Sequence, residues 1–104
     1  MRRTIEELLC APTNPADAPT LAHMEETLTD GYARALVLEA ERTRLERRLG
    51  QAAHELEGPA APAVTAEMGS LAKRLRRADG ELTQLRLLLT SLHTRTSSAR
   101  NASR

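Results

Sequence analysis

Histidines, one cysteine and several neighbouring carboxylates are the residues of this chain whose types could do chemistry, and their spacing does not assemble them. His23, His54 and His93 lie far apart. No cysteine or carboxylate stands with them at metal-ligand spacing on a common face, so no metal site is expected. If the chain folds back on itself, His23 and His93 approach the same end, where a pH-sensitive contact across a dimer is a minor reading. Cys10 has Arg2 and Arg3 nearby in sequence. A lone thiol without a placed base behaves as a small apolar side chain rather than a nucleophile. The pairs Glu25-Glu26 and Glu39-Glu41 belong to no cleft that would set their proton affinities apart. The residues therefore predict no catalytic group and no cofactor, and an enzyme is not expected.

Cations offer a second chemistry. Arg42, Arg44, Arg47 and Arg48 carry Glu46 as the one acid among them, while Lys73, Arg74, Arg76 and Arg77 carry none. A fold that sets these two segments side by side makes a basic belt able to attract phosphates or an acidic partner. The planar arginine fork suits bidentate phosphate contact. The competing reading is a solvated face flanking a helical seam, partly neutralised by Glu39, Glu41, Asp79 and Glu81. There is no aromatic interleaving for base stacking and no nucleic-acid motif. Anion or nucleic-acid binding by this belt is thus the alternative function rather than the leading one.

The elements that must position these residues follow from composition and periodicity. The 104 residues contain no Phe or Trp, one Tyr, and Ile5, Val37 and Val64 as the β-branched aliphatics. Strand formers are that scarce, and a core with an aromatic centre cannot be built. Leu, Ala, Glu and Arg predict an all-α chain. From Leu21, apolar positions recur in steps of three and four through Met24, Leu28, Gly31, Ala35, Leu38, then Arg42, Leu45, Leu49, Ala52 and Leu56. Gly58, Pro59 and Pro62 interrupt the pattern. It resumes through Val64, Met68, Leu71, Leu75, Ala78, Leu82, Leu85, Leu89 and Leu92.

A chain reversal centred on Ala60 pairs positions equidistant from it, and sizes then complement each other. Gly31 meets Leu89, Ala35 meets Leu85, Ala52 meets Met68 and Arg42 meets Ala78. The expected fold is an antiparallel two-helix coiled-coil hairpin over 19–93, with helices at about 19–57 and 63–93 and a turn at 58–62. Thr20 or Pro19 would start the first helix. Arg42 within the seam would fix register, its stem along the seam and its head in water.

Two flanking segments complete the layout. Residues 1–18 read as an arm, a short helix with Ile5, Leu8 and Leu9 on one face followed by a linker containing Pro12 and Pro15. Residues 94–104, polar and without apolar periodicity, read as a disordered tail.

Tyr32, Leu36, Val37, Leu87 and Leu88 lie outside the seam and widen the apolar stripe beyond what two helices need. They are the expected partner-binding residues. A seam this thin supplies about 3–5 kcal/mol without association, so completion to a four-helix bundle is expected, by a homo-oligomer or a helical protein partner. The leading function is a non-enzymatic interaction, scaffolding or regulatory module. No membrane contact is expected, since no apolar run of spanning or secretory length occurs. The single cysteine fits a cytoplasmic protein, and the preference for arginine with abundant Ala and Leu hints at a high-GC bacterial source. Asn101-Ala102-Ser103 matches a glycosylation acceptor only by chance.

Overall fold

The computed structural model describes residues 1–11, 20–56, 58 and 61–102. Three helices, α1 (Arg2–Cys10), α2 (Leu21–Glu55) and α3 (Ala61–Ala102), account for the secondary structure, and the described residues contain no strand. The protein is all-α. Pro12, Pro15, Pro19, Pro59 and Ala60, on which the expected linker, helix start and turn centre rest, lie outside the described residues.

Local chemistry explains the helix ends. Thr20 Oγ1 accepts a hydrogen bond from the His23 N–H at 3.1 Å, satisfying one of the donors that a helix start leaves bare. At the other end of α2, Leu56 N–H donates to Ala53 O at 3.4 Å and Gly58 N–H to Glu55 O at 3.1 Å, tightening the last turn. Helix α3 begins two residues earlier than the periodicity predicts, because Pro62 occupies its first turn, where a missing N–H breaks no helical bond.

The chain divides into two compact units, one made of Met1–Ala35 with Thr83–Arg104 and one of Leu36–Leu82. In the first, α1 joins the start of α2 and the end of α3. Ile5 and Leu8 of α1 are buried with Met24, Leu28, Ala35, Leu85, Leu89 and Leu92. Burying Ile5 and Leu8 contributes roughly 1.5–3 kcal/mol each before entropy is counted. Gly31 lets Leu89 come close: a β-carbon built there would sit 2.4 Å from Leu89 Cδ2 and 3.7 Å from Ile5 Cδ1. The size-matched pair read from the sequence is therefore present, and α1 is docked.

The second unit has a plainer core. Leu45, Leu71 and Ala78 form a buried cluster against which Leu49 and Leu75 pack. Leu38, Ala52, Val64 and Leu82 are buried as well. Leu56, counted in the seam from its spacing, is 38% exposed instead, since it follows the last helical residue of α2.

The expected disordered tail is corrected over most of its length. Helix α3 runs on to Ala102, and Thr96 is 1% exposed. Apolar periodicity does not reveal this segment because its buried position is a threonine. A threonine can continue a buried stripe when its hydroxyl is satisfied internally, and Thr96 Oγ1 donates to Leu92 O at 2.7 Å. Thr27, also buried, does the same to His23 O at 2.9 Å.

The glycines give a test of this packing. Gly50 and Gly80 have nothing within 4 Å of an added β-carbon, so Gly50→Ala and Gly80→Ala should each stabilise by about 0.5–1 kcal/mol through helix propensity. Gly31→Leu should destabilise by about 1–3 kcal/mol through overpacking against Leu89. Urea unfolding followed by circular dichroism reads all three.

Candidate functional site

Three groups of side chains emerge. The basic belt lies wholly within the unit Leu36–Leu82, and the structure breaks it into parts. Arg42, half-buried in the seam, sets Nη1 at 3.3 Å from Asp79 Oδ1 and Nε at 3.9 Å from Glu46 Oε1. Its guanidinium is thus answered by two carboxylates. Arg48 Nη2 stands 2.8 Å from Glu67 Oε1. Glu67, three residues after Val64, is an acid that the sequence reading did not weigh beside the belt. Among the described residues, acids thus answer the belt at Arg42 and at Arg48, in line with the partial neutralisation that the competing reading expects.

A groove of about 210 Å³ is lined by Glu41, Arg44, Leu45, Arg48, Leu71 and Arg74, of which Arg48 is the one paired with Glu67. Its floor is the buried pair Leu45 and Leu71, and its rims carry three arginines and one carboxylate. Arg47, Lys73, Arg76 and Arg77 are exposed but do not line it. Arginines flanking an apolar seam can meet phosphate or carboxylate oxygens with a planar fork, and their aliphatic stems cover the seam.

The second group is apolar, and each unit carries its own members. In the unit containing the chain ends, Tyr32 is 48% and Leu87 66% exposed, while Leu88 is half-buried and so offers less than its spacing implied. In the other unit Leu36 is 66% and Val37 52% exposed.

The third group, where α1 sits, was missed as a site. Arg95 Nη2 donates to Ala11 O at 2.8 Å, and Nη1 donates to Leu9 O. One guanidinium thereby answers two carbonyls at the C-terminal end of α1, where the helix dipole also favours a cation. Ile5, Leu8 and Leu9 at helical spacing signalled that α1 has an apolar face. Arg95 carried no signal, because it lies in a segment read as tail.

His23, His54, His93 and Cys10 are exposed, and among the described residues no group of three His, Cys, Asp or Glu side chains could hold a metal. Among the described residues, too, no helix is long and apolar enough to cross a membrane.

Arg42 gives a quantitative check on the seam. Its partly exposed ion pairs are worth about 0–1 kcal/mol, whereas a buried leucine gains about 1.5–3 kcal/mol. Arg42→Leu should therefore raise stability by about 1–2 kcal/mol in urea titrations, the cost of a polar residue at a seam position.

No protein family, curated protein or solved structure matches this chain.

Proposed function

We propose that the protein is a non-enzymatic coiled-coil module for protein-protein interaction, scaffolding or regulation. In this reading α2 and α3 form an antiparallel hairpin that self-association completes to a four-helix bundle. The observation that carries it is the exposure of large apolar side chains outside the seam, Leu36 and Leu87 at 66% each, with Tyr32 and Val37 beside them in sequence. Leu88, half-buried, extends this set. Side chains of this size bury readily against another helix, and a single thin seam gains from doing so. Cross-helix contacts support the antiparallel course. Within Leu36–Leu82, moving up α2 from Arg42 to Arg48 moves the ion-pair partner down α3 from Asp79 to Glu67. A helical protein partner would use the same residues as a second copy. The groove beside Leu45 and Leu71, at about 210 Å³, falls short of the roughly 300–1,000 Å³ usual for a small-molecule site. A cytoplasmic, bacterial setting suits the composition.

Light scattering across a concentration series at moderate and high salt tests this. A dimer or tetramer that persists at high salt, and that Leu36→Lys with Leu87→Lys converts to monomer, is the expected result. A wild-type chain that stays monomeric at every concentration overturns self-association.

A second reading has its own observation, the convergence of Arg44, Arg48 and Arg74 on one groove. It makes the protein an anion- or nucleic-acid-binding regulator. Binding of a short single-stranded oligonucleotide should then fall steeply with added salt and disappear in Arg44→Ser with Arg74→Ser. An oligonucleotide that fails to bind at low salt removes this reading.

A further inference from the structure

The unit built from Met1–Ala35 and Thr83–Arg104 contains a helix held in an unusual way. Helix α1 has nine residues, fewer than the roughly 12–15 that a helix needs to be even marginal by itself. Met1 stands at its N-cap without a side-chain cap hydrogen bond, and its first turn has no acid. Arg2 and Arg3 put positive charge at the positive end of the dipole. Its last turn has no base of its own, and Ala11 beyond it is extended rather than left-handed. The helix is therefore imposed by its seat. Ile5, fully buried, lies next to the backbone notch at Gly31 that also admits Leu89, and Leu8 is buried three residues on. Arg95 supplies from α3 the cation that α1 lacks at its end.

The seat has contacts that do not involve α1. Leu89 packs into Gly31, joining α3 to α2. Arg100 Nη2 stands 2.7 Å from Glu25 Oε1, joining them again toward the chain end. Removing α1 leaves both in place and bares an apolar surface with an arginine fork at its edge.

From this we propose that α1 is an exchangeable internal ligand, and that its seat on α2 and α3 is a binding site for a short amphipathic helix. The helix it takes has two apolar residues three apart and bare carbonyls at its C-terminal end. Ile5 and Leu8 show the first requirement, and the bonds from Arg95 to Leu9 O and Ala11 O show the second. In the closed protein α1 blocks the seat. A partner helix of the same chemistry enters when α1 leaves, so α1 sets the apparent affinity through the fraction of open seats. Tyr32, Leu36 and Leu87, the residues of the self-association reading, are not part of this mode, and either reading stands or fails without the other.

Two measurements on the full chain decide it. In hydrogen exchange of the wild-type protein, amides of α1 should open at least about tenfold faster than those of α2 and α3 in the same unit. Equal protection would mean that α1 is a permanent part of the core and overturns the proposal. In the second, a labelled synthetic peptide with the sequence Met1–Ala11 and an amidated end is titrated into Ile5→Asp protein. This variant should keep the circular dichroism of α2 and α3 and bind the peptide at least about tenfold more tightly than wild type does. Adding Arg95→Ala should weaken that binding. An Ile5→Asp chain that unfolds, or that stays folded and fails to bind the peptide, overturns the proposal, as does equal binding by wild type.

Discussion

Without phenylalanine or tryptophan, this chain has to bury its apolar surface along lines of leucine, alanine and valine side chains, and the fit at each step of those lines decides what the helices can do. Leu45, Leu71 and Ala78, with Leu49 and Leu75 against them, hold one unit. In the other the line narrows to a glycine so that Leu89 can approach the α2 backbone. Small beside large is the rule at both places, because close packing leaves neither a void nor an overlap. A line of this kind buries one stripe of each helix and leaves the rest in water. The flanks carry the arginines and the exposed apolar residues.

The flanks show how charge and seam depend on each other. Arg42 takes a half-buried place between apolar neighbours in the periodic pattern, and Asp79 and Glu46 meet its head where that place opens to solvent. Arg48 is met by Glu67 in the same way. Cations counted along the sequence look like a belt. Once helical geometry assigns each to a side, acids from the facing helix answer Arg42 and Arg48, and Arg44, Arg48 and Arg74 line one groove together with Glu41.

Much of this architecture could be read in the residues, for identifiable reasons. Heptad spacing is a property of consecutive side chains, so Met24, Leu28, Leu38, Leu45, Leu71, Leu82 and Leu89 were all legible as buried positions. The cap at Thr20 was legible because it uses a hydroxyl at a helix start. Other features were not. Leu56 kept the period but lost its helix, since periodicity does not know where backbone bonds stop. Thr96 kept the helix but not the hydropathy, since a hydroxyl bonded to Leu92 O is apolar in effect. The meeting of Arg95 with α1 joins residues 84 and 86 apart in sequence, and nothing in a local pattern reports a contact of that range. For the same reason the exposed residues Leu36 and Leu87 were visible as candidates, while Leu88 could not be told from them before its burial was known.

Cys10 acquires a use from where it sits. It is the only cysteine of the chain, it is exposed, and it lies between Leu9 and Ala11, the two residues whose carbonyls the Arg95 guanidinium holds. A fluorophore or spin label attached through its sulfur would need no cysteine introduced or removed elsewhere. The molecule carries its own reporter position on its shortest helix, where mobility of the label can be followed in the otherwise unaltered protein.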